Sequence, residues 1–598
     1  MTIPIQGSEA ADTAAVRRHD VYLALPLIIL SGMILLGALT FDRREWPAFV
    51  GDEATYLMAG ESLAWDLDLS FEKGDYERFM EHWGRQPEGL ILLSGDEGRH
   101  ISFGKPFFYP LAIAPFQRLS PLKGPFVANA LLLVLAGVMA ARSLRTRLGR
   151  VAWIWVAAFL FASVCFAYVY WAHADLFLMA LSAIALSLAF SARQSPDEKG
   201  SVLRWVTIGL LMAIVIFSRP LYLPLLVPTA MAVPRFERRR GLTGLLLGVV
   251  AVLALAFTIH WINGRSLTSY GAQRRGFYST TGYPGIEFAP EEWVEKLEDL
   301  GDARWVEGQS LSRLPATDAS LWTWNSLYFL VGRHVGVLPY FLPLLLGVLG
   351  RPRGRARWAL LPAVLFCVAG FFLYRPFNFY GGGGAIANRY FLPLYPALWF
   401  VGTRLAKLGP ALVVTALASA FMWPLWSQPR AFPLRQDSTY RYVSAAASWG
   451  LPFETTQSHL KPSGRSDVIH NQLWVKSLSP TLRPSRDGRV LKLRADSRGQ
   501  LLVGSSTPLT RLQLETWGPG AEELEVTRGA TVGGAESAGD VRILDLELGR
   551  RRARHPMWWT WDPYFLYQLN LRAGEIGQGA VSFSLLRRGV EKSEQDGL

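Results

Sequence analysis

Cysteine is nearly absent: in 598 residues only Cys165 and Cys367 carry a thiol, and both lie inside apolar runs. Two thiols so placed build neither a disulfide framework nor a zinc site, and they read as small core residues. Charge is scarce as well, at 18% of residues against 50% hydrophobic. That balance fits a membrane protein with a soluble portion better than a string of soluble domains. Also missing is any Gly-rich nucleotide loop ending in Lys-Ser or Lys-Thr, or a dinucleotide-binding glycine fingerprint. No basic stripe interleaved with aromatics is present, so the net charge of +13 does not describe a nucleic-acid surface.

The positive charge instead punctuates the apolar runs. It sits in short links such as "RSLRTRLGR" (142–150), "RFERRRG" (235–241), "RPRGRARW" (351–358) and "RLAK" (404–407). Loops retained on the cytoplasmic side have this composition. A hydrocarbon core needs roughly 20 apolar residues per helix, and on that criterion about eleven spans are expected. They cover 21–41, 126–142, 151–170, 174–191, 203–218, 220–234, 241–261, 329–349, 358–374, 390–404 and 410–425. The run at 21–41 is too long for a signal-peptide core and lacks a cleavage site, so it reads as an anchor. With residues 1–20 as a cytoplasmic tail, the Arg-rich links fall inside, and the long links 42–125 and 262–328 fall outside. The expected membrane domain is 21–427, in the cytoplasmic (inner) membrane.

Residues 428–598 form a second, extracytoplasmic domain on this topology. Its short runs alternate with period two: Leu544, Leu546 and Leu548; Tyr567, Leu569 and Leu571; Val581, Phe583 and Leu585. Such runs, separated by Gly and Pro, predict a β-sandwich. The aromatic group "MWWTWDPYF" (557–565) reads as core or interface packing before it reads as a sugar platform. The fold class expected is therefore an α-helical multi-pass membrane protein with a C-terminal β-sandwich-like domain.

The same topology collects polar residues on the outer face. Asp52 and Glu53 follow the first span, and Lys105 begins "KPFFYPLAIAPFQRLSP", read together with 99–104 as a helix in the interface plane. His173 and Asp175 open the fourth span, Arg219 follows the fifth, and Arg389 and Tyr390 begin the tenth. An acid at the mouth of a span is costly unless it faces a cavity or a partner, which singles out Asp175. Arg219 and Arg389 also suit simple snorkelling to headgroups, and the acids of 65–75 read as solvated loop. Acids and cations together suggest group transfer from a lipid phosphate. A carboxylate takes the acceptor hydroxyl's proton, while Lys and Arg hold the departing phosphate.

At this point the chain resembles a known family, the GT-C superfamily of integral-membrane glycosyltransferases. The likeness is to the branch holding protein O-mannosyltransferases and the lipid A aminoarabinose transferase. "GDEATYLMAGESL" is similar to its acidic motif in the first outer loop, and "GKPFFYPLAIAPFQRLSP" to its Lys-Pro-aromatic juxtamembrane helix. "HADLFLMAL", "GLLMAIVIFSRPLYLPLLVP", "GRHVGVLPYFLPLLLG" and "ANRYFLPLYPALWF" resemble later motifs in the same order. The chain departs at Gly104, where the family often has His, and at Arg219, where it often has Lys followed by Gly. The resemblance implies Asp52 as catalytic carboxylate, with Glu53 sharing or orienting. It implies Lys105 on the donor phosphate, and Asp175, Arg219, Arg389 and Tyr390 near the donor, with His173 among them. A polyprenyl-phosphate sugar donor, an envelope acceptor (protein, lipid or polysaccharide) and membrane lipids are the expected partners, and no nucleic acid. No cofactor is required on this reading, although two adjacent acids could hold a divalent cation. Two rival classes stay open: a transporter or flippase of a lipid-linked or anionic substrate, and a noncatalytic envelope scaffold.

Overall fold

The structure is a computed structural model. It describes residues 7–45, 49, 51–96, 98–192, 202–271, 273–277, 282–286, 319–332, 334–376, 378–381, 385, 387–402, 405, 407–430, 451, 454, 473–477, 479, 481–484, 491–505, 511–518, 520–548, 565–574 and 580–586. Most of the aromatic group at 557–565 and most of the link 262–328 lie outside them. Two compact units emerge. One comprises Met1–Thr317, Val337–Arg375 and Ile386–Arg435, and the other Asp318–Gly336, Pro376–Ala385 and Gln436–Leu598.

The first unit is helical. In chain order it contains α1 (Gly7–Leu39), α2 (Asp52–Trp65), α3 (Lys73–Trp83), β1 (Leu90–Ser94), β2 (Ile101–Phe103), α4 (Phe108–Leu119), α5 (Gly124–Leu148), α6 (Ala152–Phe161), α7 (Ala174–Ala192), α8 (Val202–Ser218), α9 (Leu226–Met231), α10 (Arg238–Gly264) and β3 (Gln273–Phe277). Further helices at Leu360–Tyr374, Tyr395–Trp399 and Leu408–Ser427 follow. α1 exposes Ile28, Ile29, Met33 and Leu36, and α10 exposes Leu246, Leu247, Val250 and Trp261. Apolar faces left open this way suit contact with lipid chains. α8 and α10 approach through glycines: a Cβ on Gly209 would strike the Leu245 carbonyl, and one on Gly248 the Val206 carbonyl. Small residues spaced in this way are how membrane helices reach close van der Waals contact.

The protein is thus a multi-pass α-helical membrane protein, but the span count needs correction. Among the described residues six helical stretches, not eleven, are long and apolar enough to cross a membrane: Tyr22–Leu39, Gly124–Phe161, Ala174–Ser191, Arg235–Gly264, Arg355–Tyr374 and Leu408–Ser427. Of the remaining apolar runs, 203–218 forms the unbroken but shorter helix α8 (Val202–Ser218), and the others break up for local reasons. Residues 220–234 carry four prolines and form a 3-10 turn, Pro220–Leu225, ahead of the six-residue α9. Within 151–170, α6 ends at Phe161 and Ser163 caps a separate 3-10 segment, accepting from the Cys165 amide at 3.4 Å. The run 329–349 is split into short turns, Val337–Tyr340 and Leu344–Val348, after the helix Ala319–Val331, and 390–404 keeps only Tyr395–Trp399 as helix. Proline removes an amide donor and bends the chain, which a hydropathy window does not register.

Two further expectations are revised. Residues 99–121 are not helical throughout: β2 occupies Ile101–Phe103, and the helix expected from Lys105 onward, α4, begins at Phe108. Asp75 is not solvated loop, since its Oδ2 accepts from the Glu72 amide at 2.9 Å in the capping box of α3. Burial pushes that carboxyl up to about 7. β1 pairs antiparallel with both β2 and β3, so the links 42–125 and 262–328 share one small sheet of order β2-β1-β3.

The second unit contains the C-terminal β-sheet domain. A six-stranded sheet runs β10-β11-β8-β13-β6-β5 and a four-stranded sheet β4-β7-β12-β9. The ranges are β4 Leu473–Ser477, β5 Leu482–Pro484, β6 Leu491–Arg494, β7 Arg498–Ser505, β8 Arg511–Trp517, β9 Glu525–Arg528, β10 Ala530–Ala538, β11 Val541–Leu548, β12 Phe565–Arg572 and β13 Ala580–Leu586. Leu512, Leu514, Leu544 and Leu546 of the first sheet share one core with Val503, Tyr567, Leu569 and Leu571 of the second. The period-two runs therefore close a sandwich, with alternate residues inward. Truncating the fully buried Leu546 to Ala should cost about 2–5 kcal/mol. Val532→Ala, at an exposed edge-strand position, should cost less than about 0.5 kcal/mol. Denaturant unfolding of the full chain, followed by tryptophan fluorescence, distinguishes the two.

Candidate active site

The site begins where the chain turns into α2. Gly51 has φ 60°, a conformation that favours glycine, and its amide donates to the Glu88 carbonyl at 2.7 Å. Asp52 then occupies the first helical turn, where free amides and the helix dipole favour a carboxylate. Thr55 fixes this helix start to β1: its hydroxyl donates to the Gly51 carbonyl and accepts from the Ile91 amide, both at 2.9 Å. α2 also lies close to α4, with Gln117 Nε2 donating to the Leu57 carbonyl at 3.1 Å beside Gly60. Lys105 sits in the turn before α4, so these contacts set Asp52 and Lys105 relative to each other.

Six of the eight singled-out residues converge. Asp52 Oδ1 pairs directly with Lys105 Nζ, and Oδ2 lies 2.8 Å from His173 Nε2 and 3.3 Å from Arg389 Nη2. His173 Nδ1 is 2.8 Å from Asp175 Oδ2, and Asp175 Oδ1 pairs directly with Arg219 Nη1. Arg389 spans the cluster, with Nε 3.7 Å from Asp175 Oδ2 and Nη1 3.0 Å from His173 Nε2. Tyr390, the seventh, provides a platform: the Arg219 guanidinium lies 4.3 Å above its ring, which stacks on Phe371 at 4.8 Å. His173 and Asp175 are fully buried, whereas the Asp52 side chain keeps 18% of its surface exposed. The carboxylate open to an incoming group is therefore Asp52.

Burial alone would push the Asp52 carboxyl up. Lys105, the His173 hydrogen bond and Arg389 outweigh it and hold the group well below the usual carboxylate range. For Lys105, burial dominates and pushes the ammonium down to about 7 against the pull of Asp52. Three cations, Lys105, Arg219 and Arg389, face two carboxylates, Asp52 and Asp175, which leaves one positive charge before His173 is counted. A small dry site with that surplus attracts an anion.

Glu53 is the residue not brought in. Its carboxylate forms a buried bidentate pair with Arg43, Nε–Oε1 3.0 Å and Nη2–Oε2 2.7 Å, and the guanidinium lies 4.4 Å from the Phe49 ring centroid. Asp52 and Glu53 thus turn to separate partners, and among the described residues no group of three or more His, Cys, Asp or Glu is arranged to hold a metal ion.

Other supporting residues went unread in the sequence. Asn129, on α5, donates to the carbonyls of Val169 (3.2 Å) and Trp171 (3.0 Å), holding the backbone that leads to His173. Tyr222 links Arg219 to the Tyr390 backbone, accepting from Nη1 at 3.1 Å and donating to the carbonyl at 2.9 Å. Arg274, on β3, is near enough to add to the lowering of Lys105. Tyr56 stands one turn beyond Asp52, its ring edge-on to His173 at 5.3 Å. Helical spacing would have identified Tyr56 had 52–65 been read as a helix; Asn129 and Tyr222 act through backbone contacts that no spacing reveals, and Arg274 acts by its charge from a strand.

No family model and no curated protein matches this chain. Among solved structures, it is similar to ArnT from Cupriavidus metallidurans bound to undecaprenyl phosphate, at 16% identity and a TM-score of 0.40 over 71% of this chain and 70% of that one. The apo state of the same protein gives the same identity and TM-score over 73% of this chain and 70% of that one. At this TM-score the likeness assigns neither an activity nor a residue's role.

Glu53→Gln removes one partner of the buried Arg43 pair and leaves a charge behind. It should lower stability by about 3–5 kcal/mol, much of it recovered in an Arg43→Met, Glu53→Leu double variant. Thermal unfolding of the detergent-solubilised protein measures both.

Proposed function

We propose that this chain is a GT-C-type glycosyltransferase. It moves a glycosyl group from a polyprenyl-phosphate-linked donor to a protein, lipid or glycan acceptor at the outer face of the cytoplasmic membrane. The observation that carries this reading is a semi-exposed carboxylate, Asp52, contacted by Lys105 and Arg389 within a cluster of surplus positive charge. The motif order and the expected sidedness agree with it. In this proposal the N-terminus is cytoplasmic and the β-sandwich extracytoplasmic, an orientation that rests on the Arg-rich links and not on the number of spans.

In the proposed reaction Asp52 accepts the acceptor hydroxyl's proton as its oxygen attacks the anomeric carbon, and the bond to the phosphate breaks from the opposite side with inversion. Lys105 and Arg389, with Arg219 behind them, take the negative charge of the leaving phosphate. In the resting site these cations depress the proton affinity of Asp52, which makes it a weak base. A donor phosphate draws Lys105 and Arg389 onto its own oxygens, and the proton affinity of Asp52 rises as they leave. Donor binding therefore activates the base. Asp175 holds Arg219, Tyr390 supports the guanidinium, and Glu53 fixes the start of α2. These cations neutralise the phosphate without an obligatory divalent ion.

Asp52→Asn should keep the fold and lower kcat by about 10²–10⁴. The assay is release of polyprenyl phosphate from a polyprenyl-phosphate sugar by protein in nanodiscs, unchanged by a chelator. Absence of donor cleavage by the wild type would reject the proposal in favour of transport or scaffolding.

Lys105 generates a pH test. Its ammonium is present below about 7 and lost above, so kcat/KM for the donor should fall as pH rises through that value. Lys105→Arg, whose guanidinium stays charged, should remove this alkaline limb.

A further inference from the structure

We propose that His173 is a proton relay: Nδ1 keeps its proton toward Asp175, and Nε2 receives from Asp52 the proton taken from the acceptor hydroxyl. The proposal rests on the glycosyl-transfer reading above and assigns that reaction a second proton-carrying group.

The two ring nitrogens have different surroundings. Nδ1 lies 2.8 Å from Asp175 Oδ2, an ion-pair distance without hydrogen-bond alignment, and the negative charge of that carboxylate favours hydrogen on Nδ1. The Asp175 amide also points at Nδ1 and would suit the opposite tautomer, but at 3.4 Å a dipole is outweighed by the nearer carboxylate. Nε2 has two neighbours with opposite demands. Asp52 Oδ2, 2.8 Å away, can only accept when ionised, and Arg389 Nη1, 3.0 Å away, can only donate. A bare Nε2 satisfies Arg389 and opposes Asp52; a protonated Nε2 satisfies Asp52 and opposes Arg389. Each state gains one partner and opposes the other. When the donor phosphate draws Arg389 away, Nε2 is left free to accept the proton that Asp52 has taken.

The surroundings keep the ring in place. Tyr56 packs edge-on at 5.3 Å and Trp171 lies tilted at 4.5 Å. The His173 amide donates to the Trp171 carbonyl at 2.8 Å, and Asn129 holds that same carbonyl. The charged groups around the ring are Asp52 from α2, Asp175 from α7 and Arg389. Lys105 lies on the far oxygen of Asp52, and Arg219 on the far oxygen of Asp175. Tyr56 and Tyr109 are the nearby phenols on packed helices.

The step balances. The acceptor O–H bond breaks as its oxygen bonds the anomeric carbon, and the electron pair of the old bond leaves on the phosphate. The proton passes to Asp52 Oδ2 and then to Nε2. As the phosphate departs, Lys105 returns to Asp52 and holds it ionised, so the proton resides on the imidazole; Arg389, which opposes a protonated Nε2, returns and drives the proton to water.

The test uses full-length protein in nanodiscs with a polyprenyl-phosphate sugar, comparing wild type, His173→Gln and His173→Asn. In the variants kcat should be about 10²-fold lower, with donor KM little changed and partial rescue by added imidazole. Nitrogen-15 spectra should show His173 protonated at Nδ1, the resonance being assigned by its loss in the variants. Wild-type turnover in a folded variant, or an Nδ1 without hydrogen, overturns the relay and leaves the transfer reading standing. No donor cleavage by wild type overturns both.

Discussion

Two carboxylates, Asp52 and Asp175, sit largely out of water in a helical membrane protein, and the polar architecture of the first unit follows from neutralising them. Uncompensated, each buried carboxylate would cost several kcal/mol. The compensating groups are spread along the chain: Lys105 before α4, His173 before α7, Arg219 after α8 and Arg389 before the helix Tyr395–Trp399. The cluster forms only when the intervening helices have packed. Contacts such as Gln117 to Leu57, Asn129 to Trp171 and Tyr222 to Tyr390 read best as devices for delivering these charges to one place.

How much of this could be read in the sequence depended on what carried the signal. Asp52, Lys105, His173, Asp175, Arg219 and Arg389 could be grouped in advance because the topology expected from the Arg-rich links puts all six on one face. The sandwich was legible because Leu544, Leu546 and Leu548, like Tyr567, Leu569 and Leu571, face one core with a period of two. Glu53 was misjudged through adjacency. Successive residues at a helix start point about 100° apart, so its neighbour's surroundings said nothing about its own, and Arg43, its partner, looked like an ordinary flanking charge. Asn129 and Tyr222 were hidden for another reason: they hold backbone carbonyls, and those partners have no residue identity to recognise.

The difference between eleven expected spans and six long ones bears directly on the chemistry. Hydropathy counts apolar residues and ignores whether their backbone is helical, so 220–234 and 390–404 counted as spans although proline breaks both. Broken backbone at membrane depth is tolerated where protein or a polar cavity satisfies it. Here two such breaks adjoin the charged cluster. Arg219 precedes the turn Pro220–Leu225, and Arg389 and Tyr390 lie in the non-helical stretch before Tyr395.

These breaks also set the polarity of the site. Asp52 and Asp175 both stand in the first turn of a helix, where unpaired amides carry partial positive charge, and Arg219 follows the last turn of α8, where carbonyls carry the opposite sign. Each side chain is thus favoured at its position before any pairing occurs. An uninterrupted helix has its ends at the two membrane surfaces and offers such termini only there. Here the starts of α2 and α7 and the end of α8 meet at one locus, and that locus holds the one carboxylate of the cluster still open to an incoming group.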